Sequence, residues 1–297
     1  ELRAIRLRYS ALTGYLFLLY SILTSLAYTV VILRRLSIEQ YGLFTYSLAV
    51  TQVFPPFTSL WNTWVFRFYA RKRYESLPTA LLVNTVYALA SSLFTWLALY
   101  LSEPNPIYST LWSASVFISI ANTYYYTILQ CTRPYAATYV AVVSEGVRVL
   151  SAYLYVIAFK LGFLGVIASY LTFVAVSFAS TLLALAYYKI SAPGLGFNRD
   201  SLKLLFKNMY IPLMSTVNYV LRSSFERILV THATGSYTYT ALRGVAYTPK
   251  SFVVSGTWSL FSALSSRLLR SPSRADVEDS LRILFLINLF IAGALAV

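Results

Sequence analysis

The runs without charge decide what this chain can fold into. From Tyr9 to Leu33 there are 25 consecutive residues with no Asp, Glu, Lys or Arg. A helix rises about 1.5 Å per residue, so roughly 20 apolar residues cross the hydrocarbon core of a bilayer. Four more uncharged runs reach that length: Tyr41–Phe66, Leu77–Leu101, Ile107–Gln130 and Phe163–Tyr188. A further segment, Tyr135–Phe159, is interrupted only by Glu145 and Arg148. A polar linker, Lys189–Lys207, comes next, with Pro193, Gly194, Gly196, Arg199 and Asp200. Two charged spans follow, Asn208–Thr231 and Ser236–Ser266, and a ninth begins near Ile283. Runs this long and uniformly apolar read as helices, because barrel strands alternate over segments of about 10 residues. The expectation is an all-α, polytopic transmembrane helical bundle with about nine helices present. The chain opens on Glu1 without an initiator Met and ends inside the apolar run Ile283–Val297, so it reads as an N-terminal fragment. Tyr9–Leu33 is too long for the apolar core of a signal peptide.

Composition fits a bilayer and excludes a water-soluble enzyme. Apolar residues make up 58% and charged residues 11%, against about 25% charged in soluble domains, and mean hydropathy is +0.64. Cys131 is the single cysteine, so no intrachain disulfide and no cysteine-rich metal site is expected. Lys and Arg outnumber Asp and Glu by 24 to 10, and the loops account for most of the excess. Fifteen cations fall on one side: Arg3, Arg6 and Arg8, the 67–73 cluster, Arg133, the linker and the 267–274 loop. The other side has three, Arg34, Arg35 and Lys160. The positive-inside rule then places the N-terminus in the cytoplasm and the chain in the cell membrane as a multi-pass protein. The short loops leave no room for a basic surface that would bind nucleic acid.

Seven ionisable residues within the spans are not explained by topology: Glu145, Arg148, Arg222, Glu226, Arg227, Arg243 and Lys250. Each costs at least about 2.5 kcal/mol at the centre of a helix in the bilayer. Five are cations and two are carboxylates, so they cannot all neutralise one another. A surplus cation at membrane depth favours a wet cavity with an anionic guest. Arg222 lies 14 residues past Asn208, about 21 Å from the cytoplasmic edge. Arg243 lies 7 residues past Ser236, about 10 Å from the outer edge, which puts the two near one level. Asn218, Arg222 and Glu226 share one helix face, and Arg243, Tyr247 and Lys250 share another. Simpler roles stand beside these. Glu145 and Arg148 can be an ion pair that locks helices, Arg227 can snorkel to the headgroups, and Glu226 can neutralise Arg222.

The chain has no P-loop, no G-x-S-x-G and no H-E-x-x-H. His232 is the only histidine and cannot build a metal site alone. It reads as a helix-end residue. No catalytic residue, metal or cofactor is expected, and transport is the better class. Tyr124, Tyr125 and Tyr126 line a sugar-binding cavity or face lipid.

A weak internal repeat points to a transporter built from two lobes. Ile32-Leu33, seven residues, then Tyr41 recurs as Ile228-Leu229, seven residues, then Tyr237. The seventh span is thereby equivalent to the first. Residues 1–188 form a six-helix lobe, 189–207 a cytoplasmic linker and 208–297 the start of a second lobe.

The stretch Arg35-Leu36-Ser37-Ile38-Glu39-Gln40-Tyr41-Gly42-Leu43-Phe44 resembles the first-loop signature of Wzx-type polysaccharide-biosynthesis flippases. These belong to the multidrug/oligosaccharidyl-lipid/polysaccharide exporter superfamily. Leu204-Leu205-Phe206 with Ile211-Pro212-Leu213 is similar to the approach to that family's seventh helix. Phe225-Glu226-Arg227-Ile228-Leu229 is similar to the pattern that follows, with Glu226 where Asp is more usual. Tyr237 and Pro249 also fit.

The resemblance implies two pseudo-symmetric six-helix lobes, a MATE-like fold, around a central cleft. It implies flipping of a polyprenyl-phosphate- or pyrophosphate-linked oligosaccharide from the inner to the outer leaflet by alternating access. The lobes would rock about the Lys189–Lys207 joint. The phosphate would meet Arg222, Arg243, Lys250, Arg148 and Arg227, with the prenyl chain among membrane lipids. Glu145 or Glu226 would couple to H+ or Na+ or serve as a charge partner.

Two rivals are a multidrug or ion antiporter of the same superfamily and a membrane glycosyltransferase with a prenyl-linked donor. The first more typically needs acidic residues for cationic drugs. The second wants acidic outer loops, and only Glu39 and Glu103 lie there. A structural scaffold leaves the five cations unexplained. The basic, Tyr-rich, Cys-poor composition points to an archaeal or thermophilic source.

Overall fold

The computed structural model describes residues 7–245 apart from 192 and 208, with side chains from 16 onward except 18 and 211. Lys250, Pro249, the 267–274 loop and the span near Ile283 lie outside the described residues. The helices are α1 (Leu7–Leu33), α2 (Ile38–Thr51), α3 (Ser59–Ala70), α4 (Leu77–Ser102), α5 (Pro106–Thr132), α6 (Pro134–Ala152) and α7 (Gly162–Tyr187). They continue as α8 (Arg199–Lys207), α9 (Tyr210–Val220), α10 (Glu226–Thr234) and α11 (237–245). Among the described residues there is no strand. The fold is that of a multi-pass helical membrane bundle.

Local chemistry sets the reversals. Ser37 and Gln40 form a reciprocal capping box at the start of α2, with both bonds at 3.2 Å. Asn105 accepts from the Ile107 and Tyr108 amides at 3.1 and 3.2 Å, and Pro106 opens α5. Gly235 ends α10 at φ 63°. Lys72, Lys160 and Lys189 take φ of 57°, 55° and 52° just past helix ends, so each carries its cation near a negative helix pole. One end of the bundle carries Arg71, Lys72, Arg73, Arg133 and Lys189, and is called the basic end below. Arg34, Arg35 and Lys160 mark the opposite end.

The apolar core lies in two main blocks. Trp61, Val65, Phe68, Leu77, Tyr124, Ile128 and Leu185 fill the basic end. Tyr28, Tyr41, Phe44, Trp112, Val166 and Ala241 fill the opposite end. Helix α5 packs against α3, α4, α6 and α7, which makes it the axis of the first lobe. Tyr74–Ser102, Pro134–Ala158 and Gly162–Tyr187 have the length and hydropathy of membrane spans. The more polar α5 is as long, and its central place explains its composition. Its hydroxyls bond back to its own carbonyls, as in Ser115 to Leu111 at 2.9 Å and Thr127 to Thr123 at 2.7 Å. The three tyrosines belong to this core. Tyr124 is fully buried and donates to the Leu77 carbonyl at 3.0 Å, Tyr126 donates to the Ala137 carbonyl at 3.4 Å, and Tyr125 packs on Phe178. Tyr124 is thereby withdrawn from both a cavity and the lipid, while Tyr125 and Tyr126 are partly buried.

Three features depart from the sequence reading. The second span is broken, because Pro55 and Pro56 divide it into α2, a 3-10 turn (Pro55–Thr58) and α3. The Lys189–Lys207 segment is no free joint. Its α8 docks on the start of α4 through Asn198 N–H to Thr79 Oγ1 (2.9 Å), Ser201 Oγ to Ser76 Oγ (3.1 Å) and fully buried Leu205. The repeat is also looser than its offset. Helix α10 ends five residues, and α11 begins three residues, beyond the points that α1 and α2 project.

The two halves of the second span join the lobes. At the opposite end, α2 presents Gly42 to the main chain of Tyr237, where a methyl would overlap the carbonyl. One turn further, a Cβ on Gly244 would lie 3.0 Å from the Thr45 methyl, which can give way. Toward the basic end, Ser59 and Thr216 share a 2.7 Å hydrogen bond between α3 and α9. Gly42→Ala is therefore expected to cost about 1–3 kcal/mol through overpacking, and Gly244→Ala clearly less. Thermal melts of the detergent-solubilised protein check the order, and equal losses would refute it.

Candidate functional site

The charges at membrane depth separate into two groups of different character. In the first lobe, α6 places Glu145 and Arg148 three residues apart, one helical turn, with an ion pair of 2.6 Å. Helix α1 closes over them: Ser25 Oγ accepts from Arg148 at 2.9 Å, and Thr24 Oγ1 donates to Glu145 at 3.4 Å. The guanidinium carbon lies 5.0 Å from the Tyr28 ring centroid and 5.4 Å from that of Phe173 on α7. Tyr28 in turn bonds Ser169 at 3.3 Å, and Gln52, at the break in the second span, donates to Tyr170 at 3.3 Å. Side-chain exposure is 16% for Arg148 and 14% for Glu145. The pair is thus enclosed by three helices.

An apolar groove of about 570 Å³ runs along the α1–α6 seam. Tyr20, Leu23, Ala27, Val149, Leu150 and Tyr153 line it. Its walls suit a hydrocarbon chain.

In the second lobe, the span of α9 and α10 is interrupted by a π turn, Leu221–Phe225, which carries Arg222. The first-lobe pair has a π turn near it too, Tyr153–Ala158. Such turns widen a helix locally and are frequent at functional sites. Glu226, directly after the second π turn, pairs across the hairpin with Arg243 on α11. Exposure is 17% for Arg243 and 49% for Glu226. The sequence left Glu226 open as a partner for Arg222, four residues away, and the hairpin gives it to Arg243 instead. Arg243 therefore sits about one turn beyond the level of Arg222. Arg222 is exposed and has no ion-pair partner among the described residues. Arg227 is partly buried and lies within electrostatic reach of Tyr41 on α2, on the side facing the first lobe. Lys250 lies outside the described residues.

His232, near the end of α10, meets the first lobe. The Tyr46 hydroxyl lies 3.4 Å from its Nε2 and 2.9 Å from Ser102 Oγ, and the Tyr46 ring is 5.6 Å from that of Tyr237. Among the described residues no cluster of His, Cys, Asp and Glu could hold a metal ion.

Sequence reasoning missed Ser25, Tyr28, Gln52, Ser169 and Phe173. A signal was present in part: Thr24, Ser25 and Tyr28 share one face of an otherwise apolar helix.

Solved transporters share this architecture over nearly the whole chain. The protein is similar to the MATE multidrug transporter DinF-BH in complex with R6G, with TM-score 0.73 and 13% identity over 97% of this chain and 70% of that one. It is also similar to an outward-facing multidrug resistance MATE family transporter of the MOP superfamily, with TM-score 0.67 and 14% identity over 96% and 70%. A third similar structure is a MOP superfamily transporter from Pyrococcus furiosus Vc1, described as having a binding pocket of reverse polarity that suggests a different function. There the TM-score is 0.64 and the identity 13% over 96% and 70%. At such identities the likeness shows the fold. No family model matches the sequence, and no curated protein does.

The enclosed pair gives a direct test. Glu145→Gln leaves a buried cation without its carboxylate, with an expected loss of about 3 kcal/mol. Replacing both residues with Leu is expected to recover most of that loss. A double-mutant cycle of thermal melts measures it, and additive losses would mean that the two side chains do not support each other.

Proposed function

We propose that this protein is a membrane transporter that carries a polyprenyl-phosphate- or pyrophosphate-linked oligosaccharide from the cytoplasmic to the outer leaflet by alternating access. The observation that carries the reading is the sign of the charge at membrane depth. Among the described residues at this depth, four arginines, Arg148, Arg222, Arg227 and Arg243, stand with two carboxylates, Glu145 and Glu226, and Arg222 is exposed with no ion-pair partner among the described residues. An exposed cation at that depth needs water or an anion. A guanidinium matches phosphate oxygens in a two-pronged geometry.

Arg222 and Arg243 form the centre of this anion site, with Glu226 between them in the chain. Arg227 and Lys250 are assigned to its periphery. Arg148 is held by its own lobe and contributes to stability more than to the ligand. The sugar occupies the wet cleft, and the prenyl chain stays among lipids, where the α1–α6 groove can hold hydrocarbon. The N-terminus is cytoplasmic, by loop charge, and the membrane is the plasma membrane. The rocking unit is the first lobe together with docked α8, so the bend falls after α8 rather than within the whole linker.

A second reading is favoured by the fold. Two of the similar structures are multidrug transporters, and a cationic drug would then be the substrate. The excess of arginine opposes it, and the pocket of reverse polarity described for the Pyrococcus furiosus protein supports a reading in which this fold serves a different substrate.

The test uses the protein in liposomes with labelled prenyl-linked oligosaccharide in one leaflet. Wild type is expected to move it, and Arg222→Ala with Arg243→Ala to lose at least about tenfold in rate, the loss of one charge-assisted contact. Transfer that survives both substitutions removes the arginine assignment. Export of a cationic dye without any transfer of the lipid establishes the drug reading.

A further inference from the structure

We propose that α8 and the segment before it form an interfacial clamp that binds anionic phospholipid in the leaflet at the basic end, and so sets the depth at which α9 enters the bilayer. The proposal is independent of what the protein carries.

Helix α8 has 9 residues, about 13 Å, and is too short to cross a membrane. It follows the end of α7 and is docked on the start of α4, so it stands where two spans meet the membrane surface. Its two faces differ in character. Ser201 and fully buried Leu205, four residues apart, fasten it to the first lobe. Arg199, Lys203, Phe206 and Lys207 are exposed and share the opposite face. The chain leading in adds Leu195 and Phe197, which like Phe206 are more than half exposed. Between them, Gly196 lies against Pro78, where a Cβ would come within 2.9 Å of the proline side chain, so this segment too is laid on the start of α4. Helix α9 begins at Tyr210, three residues past the end of α8, so the height of α8 fixes where that span starts.

The mixture on the exposed face carries the argument. Cations that serve only to set topology are satisfied by water and call for no apolar neighbour. A face turned to water gains nothing from two phenylalanines and a leucine. At the boundary between headgroups and acyl chains both kinds of side chain are satisfied, the rings among the chains and the cations at the phosphates. Charge then selects the lipid. Arg199, Lys203 and Lys207 have one acid among them, Asp200, which is almost fully exposed and reaches Lys203 only at 4.0 Å. Beside α8, where Ser76 meets Ser201, the preceding turn exposes Arg71, Lys72, Arg73 and Tyr74, with Glu75 as its single acid. Six cations against two carboxylates attract an anionic surface, and a zwitterionic lipid offers them no net charge.

The experiment uses the full chain in phosphatidylcholine vesicles, with spin-labelled phosphatidylglycerol and spin-labelled phosphatidylcholine as competing probes. Wild type is expected to hold phosphatidylglycerol at least about tenfold more strongly, and added salt to weaken that preference. The triple variant Arg199→Gln, Lys203→Gln, Lys207→Gln is expected to lose at least about fivefold of it, the worth of one cation at an anionic surface. Ser201 and Leu205 are untouched in that variant, so its thermal melt in phosphatidylcholine should match wild type. Arg34→Gln with Arg35→Gln, at the opposite end, is expected to leave the preference unchanged. Spin labels on Phe197→Cys or Phe206→Cys, in a Cys131→Ala background, report the seating, and they should collide with oxygen more than with a water-soluble nickel chelate. A preference equal in wild type and the triple variant, or an equal loss in the Arg34 and Arg35 variant, overturns the α8 site. Labels that meet nickel more than oxygen overturn the interfacial seating and leave the face to a soluble acidic partner.

Discussion

An arginine buried among apolar helices has to find its partners within the protein, and Arg148 finds most of them, its Nε alone being buried without a hydrogen bond among the described residues. Its charge is met by Glu145, one donor by Ser25, and its guanidinium lies against the rings of Tyr28 and Phe173. Those partners come from α1, α6 and α7, so satisfying one side chain fixes three helices against one another. The polar layer continues through Ser169, Tyr170 and Gln52 to the break in the second span. The two large apolar blocks of the lobe lie toward its two ends. Side-chain hydrogen bonds in a membrane are individually modest, about 0.6 kcal/mol on average. Their value in this layer is positional, because apolar helices slide against each other with little preference and a buried charge allows one register.

The second hairpin obeys the same electrostatics with looser means. Glu226 and Arg243 sit on neighbouring helices, one partner is half exposed, and a further arginine stands a turn away on a π turn. The first lobe encloses its charge and the second presents it. The proposed transport needs both conditions, a scaffold that keeps its shape and a charge that a ligand can reach.

Much of the scaffold was legible in the sequence. Uncharged runs gave the spans, and Glu145 with Arg148 at one-turn spacing gave a pair that forms as read. What was not legible depended on contacts between helices. The Glu226–Arg243 pair is 17 residues apart in sequence, and its register is set where Gly235 closes α10. Helical spacing within α10 offered Arg222 instead. Tyr124 looked like a cavity or lipid residue because tyrosine is common in both places, whereas α5 is the buried axis of its lobe and hides it. The linker read as free because its residues are polar and rich in Pro and Gly. Only the partners Ser76 and Thr79, more than 100 residues earlier, show that α8 is fastened.

The broken second span has a mechanical meaning. Pro55 and Pro56 cannot donate to Thr51 and Gln52, and the gap is held by side chains: Tyr87 donates to the Phe54 carbonyl at 2.9 Å and Thr58 to that of Pro55 at 2.7 Å. The upper half, α2, touches α10 and α11, while the lower half, α3, touches α9. An unbroken helix is a rod, and a tilt imposed at one end arrives undiminished at the other. Two short levers that meet at an elbow behave differently. Each can follow its own contact with the second lobe, so a displacement at one membrane face can be absorbed at mid-depth before it reaches the opposite face.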